Sequence, residues 1–396
     1  MKKLVQILRL SGVIILFISN SQWTHAQTVR WDALNDSIQL ILDQNHIVGA
    51  GLTIVSAGSN LESYFGLADK ESKSPVDEQT LFHWASITKT FTGICAMQAV
   101  REGLLDPDKP ITYYLPETRA IHNPYGSVDD ITVRHLMSHS SGLRNPTWPW
   151  GGQQDWHPFE PTKWSQLVAM MPYTEIQFAP GSRYSYSNPG ITFLGKILEN
   201  LYDEDIEIIV RKRLLMPLEM HHAYFDVTPP YLQLHRSNSY AWTADGQFIT
   251  HGKEFDTGIT KGNGGLNVSF REMTRYVQFL LQVAKGDDTQ LLTNAEWAQM
   301  TQAVLSTDEP EESIGTIFFI LHRTIVNKDY TFFGHTGSQQ GFRAFLYIDP
   351  QSGQGVIFNM NTELLAKVNG ETSDKSRDVL YRIRELVFKY LAGNNY

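Results

Sequence analysis

The sequence predicts an α+β fold. One antiparallel sheet is built from the N- and C-terminal segments, helices flank it, and a mainly helical lobe is inserted between its halves. Three observations carry this. Strand-like runs cluster at both ends of the chain, the stretch from about 81 to 300 reads as helices and loops, and an amphipathic helix stands near each end.

The elements follow in order. Residues 1–26 carry Lys2, Lys3 and Arg9, an apolar run from Leu10 to Ile18, and the small-residue site Thr24-His25-Ala26. That is the layout of a secretory signal. The apolar run is about half the ~20 residues a spanning helix needs. The expectation is a periplasmic or secreted protein with no stable membrane anchor once the signal is removed, and one domain over 27–396. Residues 28–46 space their apolar side chains helically, and 49–69 read as two strands around Ser56-Ala57-Gly58-Ser59-Asn60. Near the other end, 315–324, 329–335, 342–350 and 353–361 read as strands, the last two joined by the turn Asp349–Gly353. Val379, Ile383, Leu386, Val387 and Leu391 share one face of a closing helix over 376–393. No repeat or Pro/Gly/Ser-rich linker interrupts this plan.

Composition narrows the partners. The chain has 396 residues, 42% hydrophobic, which is enough for a sizeable core. Its formal charge is −9, and without Lys2, Lys3 and Arg9 it is −12 (30 basic against 42 acidic residues). No Lys/Arg run exists, so nucleic acid and anionic membranes are not expected partners. Cys95 is the only cysteine, in an apolar helical stretch, and reads as a packed small residue.

Three stretches carry chemistry. In LFHWASITKTFTGICAMQAV (81–100), Ser86 and Lys89 are three apart and share a helical face. Ser86 falls near a helix start, where free N–H groups favour developing negative charge. A lysine there accepts a serine proton only if a dry site lowers its pKa. In FAPGSRYSYSNPG (178–190), Tyr186 and Asn188 are two apart and, in extended geometry, point the same way. In FGHTGSQQGF (333–342), His335-Thr336-Gly337 ends a strand-like run, and Gly337 permits close backbone approach. Read alone, these are also a helix cap with an exposed lysine, a polar loop tip and a strand end. His135 and His139 stand four apart and could share a helix face, but no Glu of H-E-x-x-H lies between them. For His135 and His139 the expected role is structural or one of supporting the residues that do the chemistry, for His221-His222 and His83 it is structural, and no metal or other cofactor is expected. A G-x-S-x-G elbow is missing from the sequence.

Taken together, S-x-x-K, Y-x-N and [K/H]-T-G in this order resemble the penicillin-recognising serine hydrolases. These include class C β-lactamases, DD-peptidases, esterases and D-aminopeptidases. ITVRHLMSHSSGL (131–143), LLMPLEMHHAYF (214–225) and GNGGLNVSFREMTRYVQFLL (262–281) resemble further segments of the class C-like branch, so the likeness spans about 30–392. The resemblance implies a β-lactamase/transpeptidase-like fold with an active site in a cleft between lobe and sheet. It implies Ser86 as nucleophile, with Lys89 and Tyr186 sharing the proton transfers. Asn188, His335, Thr336, Gly337 and Ser338 would bind substrate, the main-chain N–H groups of Ser86 and Ser338 forming the oxyanion hole. The substrate would be a D-amino-acid peptide, small ester or β-lactam. The alternative reading is a non-catalytic sensor that binds peptidoglycan or β-lactams. His335 stands where class C enzymes usually carry lysine, which tilts the expectation toward a DD-peptidase-like or esterase-like enzyme. Gln339 and Gln340 suggest an altered sub-pocket. Arg343 reads equally as an anion partner or a solvent-facing strand residue. Trp148, Trp150 and Trp156 in 146–161 read either as a rim over the cleft or as a self-packed loop.

Overall fold

In the computed structural model, residues 28–56, 58–143, 161–254 and 256–393 are described. By contacts the chain forms two units, 47–377 and the terminal segments. The expected signal lies outside the described residues, as does nearly all of the tryptophan-rich stretch.

The larger unit is built on a nine-stranded sheet whose strands come from both ends of the sequence. The N-terminal part supplies β1 (Gly49–Ser56), β2 (Leu61–Asp69) and β3 (Ser74–Pro75). The middle supplies five short strands: β4 (Leu81–His83), β5 (Tyr224–Phe225), β6 (Ser239–Trp242), β7 (Phe248–Gly252) and β8 (Leu266–Ser269). The C-terminal part supplies β9 (Leu305–Ser306), β10 (Glu312–Ile314), β11 (Phe319–Ile325), β12 (Lys328–Gln339), β13 (Phe342–Asp349), β14 (Gln354–Met360), β15 (Thr362–Val368) and β16 (Glu371–Asp374). The large sheet runs β3-β2-β1-β14-β13-β12-β11-β10-β9. Its two halves join at β1 and β14, which pair antiparallel from Ala50↔Met360 to Ser56↔Gln354.

The expected sheet from both termini is thus observed, with two differences. The run expected to end at His335 continues as strand to Gln339 and turns back through Gln340 and Gly341, at φ 45° and 82°. Two positive φ values in a two-residue loop match the right-handed twist of the flanking strands. The middle strands also form two small sheets, β4-β8-β5 by themselves and β16-β15-β6-β7 together with the C-terminal β15 and β16. Strands of two to five residues are too short to show a period, so the middle reads as helix and loop.

The helix Phe270–Ala284 docks on the large sheet. A Cβ at Gly51 of β1 would sit 2.5 Å from the Phe270 ring, so glycine there admits the aromatic side chain. Phe270 in turn meets Phe82 and Trp84 edge-on, each at 5.4 Å. The helix Thr88–Arg101 is buried on nearly every side, which explains why its sequence is apolar with small polar threonines and shows no clear stripe. Its Phe91 stacks on Tyr276 at 3.9 Å, and the Tyr276 hydroxyl donates to Thr90 Oγ1 at 2.8 Å. Each such buried aromatic ring contributes about 1.5–3 kcal/mol by leaving water. In the terminal unit, Trp31 of the helix over 28–44 meets Tyr390 edge-on at 5.8 Å. There Arg30 donates to the Tyr390 carbonyl at 2.7 Å.

Candidate active site

The site begins where β4 ends. Trp84 is fully buried, and its indole N–H donates to the Val268 carbonyl at 2.8 Å. Ala85 then takes φ 47°, a left-handed conformation costing a non-glycine residue about 1–2 kcal/mol. That bend leads into a short 3-10 turn, Ala85–Ile87, and the helix Thr88–Arg101. Thr88 secures the bend: its hydroxyl donates to the Ala85 carbonyl at 2.6 Å and accepts from Leu266 N–H at 3.2 Å. Ser86 is left half-buried among buried neighbours. Its N–H lies in a first helical turn, where no intrahelical acceptor is available.

Lys89 lies one turn on and is fully buried. Its Nζ is 2.9 Å from Ser86 Oγ and donates to the Asn263 carbonyl at 2.8 Å. Burial holds its pKa well below the ordinary 10.5, because a dry pocket penalises the charged form. Asn263 is fixed in turn: its Nδ2 donates to Thr192 Oγ1 at 2.8 Å and to the Asn188 carbonyl at 3.4 Å. The helical turn Lys261–Gly264 therefore supplies a main-chain acceptor to the lysine. The Gly-rich GNGGL signal flagged this segment, although no residue code shows which carbonyl is used.

Tyr186 reaches the same place from the other side of the cleft. The Lys89 Nζ is 5.2 Å from the centre of its ring. Burial raises the Tyr186 pKa, and a hydrogen bond with Ser86 opposes that shift. Ser187 caps the helix Asn188–Tyr202 by accepting Gly190 N–H at 3.1 Å. Asn188, the first residue of that helix, is half-buried and tied through its carbonyl to Asn263.

The strand β12 closes the third side. Successive side chains alternate between its faces. Gly337 faces the nucleophile turn, where a Cβ would come within 2.4 Å of the Trp84 carbonyl oxygen. His335, on the same set, is 1% exposed, with its ring centre 6.2 Å from that of Tyr186 and 5.0 Å from that of Phe319. Its Nδ1 donates to the Thr336 carbonyl at 2.5 Å, which leaves Nε2 as a bare acceptor; Nε2 has no partner among the described residues. Burial, and then the nearby Lys89, push the His335 pKa down to about 3. Thr336 is half-buried and Ser338 exposed, on the alternate set. The pairing of β11 with β12 stops at Phe319↔Gly334, so β12 has an edge free of β11 from His335 onward.

Beyond the triplet, Gln339 Oε1 lies 3.2 Å from Nε2 of the buried His83, whose Nδ1 is 3.1 Å from Asn267 Oδ1. Gln339 thus lies over Gly264, where an added Cβ would come within 2.8 Å of its Oε1. Arg343 is neither an anion partner in the cleft nor solvent-facing. It is 4% exposed and bonds Glu363 Oε2 at 2.6 Å and Asp374 Oδ2 at 2.8 Å. The two carboxylates lie 20 and 31 residues downstream, beyond the reach of local pattern.

His135 and His139 do not share a helix face, because the helix Val133–Met137 ends between them and His139 has φ 52°. His135 caps its helix by accepting Thr132 N–H at 3.2 Å, while the buried His139 lies against Tyr186. His222 pairs with Glu272 at 3.0 Å, beside a cavity of about 180 Å³ that none of the expected site residues line. Cys95 is fully buried, its thiol pushed up to about 12 by burial, as suits a packed small residue. Among the described residues no helix is long and apolar enough to cross a membrane.

Known proteins are similar to this chain. The Beta-lactamase family model matches residues 34–380. Protein flp of Staphylococcus aureus (strain MW2) is 23% identical over 344 residues, which span 84% of this chain and 65% of that protein. The octameric penicillin-binding protein homologue from Pyrococcus abyssi superposes with a TM-score of 0.76 at 23% identity, covering 92% of this chain and 78% of its own. A class C β-lactamase superposes at 0.70 and 22%, covering 91% and 97%. The structural likenesses bear on fold and agree with the α+β, β-lactamase/transpeptidase-like expectation. With a family match extending over most of its length, the chain belongs to the β-lactamase family of serine hydrolases.

Proposed function

We propose that this protein is an exported serine hydrolase that cleaves a small ester or a D-amino-acid peptide through an acyl-enzyme on Ser86. One observation carries the reading. Lys89 sits 2.9 Å from Ser86 Oγ, buried, held by a peptide carbonyl rather than a carboxylate, so its amine is available as a base. Ser86 Oγ attacks the substrate carbonyl carbon, and its proton passes into the Lys89–Tyr186 pair, which titrates as a unit. Main-chain N–H groups of Ser86 and Ser338 hold the developing oxyanion; losing such a donor typically costs about 2.7–4 kcal/mol. As the carbonyl–leaving-group bond breaks, Tyr186 delivers the proton to the departing alcohol or amine. Water then attacks the ester on Ser86, its proton restores the serine hydroxyl, and the acid leaves. The free edge of β12 suits an extended substrate, with Asn188 orienting its amide.

The leaving side of the substrate is read as uncharged or weakly anionic. His335 stays neutral near pH 7, and Arg343 is committed to Glu363 and Asp374. Neither offers the permanent cation that would favour a β-lactam carboxylate. Export is proposed from the signal-like residues 1–26.

The test compares wild type with Ser86→Ala on a p-nitrophenyl ester and a fluorescent penicillin. Ester turnover that vanishes in Ser86→Ala is the expected result, and equal behaviour of the two proteins overturns it. Penicillin labelling with no hydrolysis of any substrate would indicate the sensor reading, slow label turnover a penicillin-binding peptidase, fast label turnover a β-lactamase, and ester cleavage without label an esterase. His335→Lys should move preference toward carboxylate-bearing substrates.

A further inference from the structure

His139 holds the tyrosine segment on three sides. Its carbonyl accepts Ser185 N–H at 2.8 Å, and its Nδ1 accepts Ser187 N–H at 3.2 Å. Its ring is tilted against the Tyr186 ring, centres 4.5 Å apart. The residues before and after Tyr186 are therefore both bonded to one residue, and that residue also packs on the phenol. His139 can do this because it takes φ 52° just past the end of the helix Val133–Met137. It is 0% exposed, and Ser187 is 1% exposed, so water cannot replace the Nδ1 contact. Accepting at Nδ1 also places the ring proton on Nε2 in the neutral imidazole.

We propose that His139 is a positioning residue for Tyr186, acting through its Nδ1 acceptor to Ser187 N–H and its carbonyl to Ser185 N–H. The proposal rests on the proton-transfer role given to Tyr186 above. It assigns to the S-H-S-S-G-L stretch a task in the acylation geometry rather than in packing alone. A released Ser187 N–H would let the Tyr186 oxygen drift from Ser86, and about 1 Å of drift costs on the order of 100-fold in rate.

The experiment compares His139→Asn with His139→Gly. Both residues tolerate a left-handed backbone and both remove the ring, but only asparagine keeps an acceptor at the Nδ1 position. Ester hydrolysis is followed against pH, and thermal unfolding is recorded in parallel. The expected result is kcat within about 3-fold of wild type for Asn and about 100-fold lower for Gly, with KM little changed. The second readout needs no turnover. In protein labelled with 13C at the tyrosine Cζ, and with Tyr186 assigned by Tyr186→Phe, the Tyr186 phenol should keep its raised pKa in Asn and fall toward the ordinary tyrosine value in Gly. Equal kcat and equal Tyr186 titration in the two variants overturn the proposal. If Gly fails to fold, a folded Asn variant 100-fold slower than wild type overturns it alone. The failures are separable: an active Ser86→Ala defeats the proposed function, whereas an inactive Ser86→Ala with indistinguishable His139 variants defeats only the positioning role.

Discussion

Lys89 and Arg343 are both buried cationic side chains in the larger unit, and they are treated in opposite ways. Arg343 meets two carboxylates, Glu363 at 2.6 Å and Asp374 at 2.8 Å, and Glu363 also bonds His251 at 2.9 Å. Its charge is matched where it lies. Lys89 has a serine hydroxyl and a peptide carbonyl, and burial presses its pKa down. A matched buried charge holds strands together, whereas an unmatched one is pushed toward its neutral, basic form. The same chain thus uses burial for structure at one place and for reactivity at another.

The strongest way to break this contrast is Lys89→Met. Loss of the base should lower ester turnover by about 10²–10⁴-fold. Stability should hold or rise, because the variant no longer buries an ionisable amine. A variant that loses stability in urea and keeps its turnover would refute the assignment of Lys89 as unmatched. Arg343→Met should do the reverse. It leaves Glu363 and Asp374 without their cation and should cost about 3–5 kcal/mol of unfolding free energy, while kcat in the folded protein stays within a few-fold. Replacing Glu363 and Asp374 by their amides in the same chain should return much of the loss. Gly337→Ala sharpens the comparison at the strand that borders the cleft. Its Cβ would press on the Trp84 carbonyl at 2.4 Å. Pushing β12 from the nucleophile turn should lower kcat about 100-fold, with a smaller stability change than Arg343→Met.

Sequence pattern reveals the parts of this site that reside in residue identity. Ser86 and Lys89 are legible because a three-residue spacing on a helix start has chemical meaning. Gly337 is legible as a close approach, since only its missing Cβ admits the Trp84 carbonyl. What is not legible acts through the main chain or through distant partners. The Asn263 carbonyl has no residue code. Nor can a spacing show that His139 leaves its helix at φ 52° and clasps the tyrosine loop, so H-x-x-x-H reads as one helix face when it is two environments. Arg343 is ambiguous for the same reason: Glu363 and Asp374 become neighbours only when β15 and β16 fold back. The large sheet follows from apolar strand-like runs at both ends of the chain, which are buried almost end to end in β1, β13 and β14, while the small sheets, with strands as short as two residues, carry no periodic signal.

Per pH unit, the smallest expected effect concerns acid stability, and it separates His335 from the matched charges. Burial pushes His335 from its ordinary 6.5 down to about 3. Between those values the unfolded chain binds a proton that the folded chain refuses. Stability therefore rises with pH across that window: the contribution is complete above pH 6.5 and is lost as pH falls toward 3. The slope is at most about 1.4 kcal/mol per pH unit for each such group. His83 behaves alike, with its pKa also at about 3 and burial as the first cause. Replacing His335 by glutamine should remove one proton from the uptake on unfolding and flatten the acid limb, with little change at pH 8. Urea unfolding from pH 4 to 8 reads this directly. An unchanged slope would mean that His335 accepts its proton in the folded cleft, which would make it the charged reader of substrate carboxylates that its dry surroundings argue against.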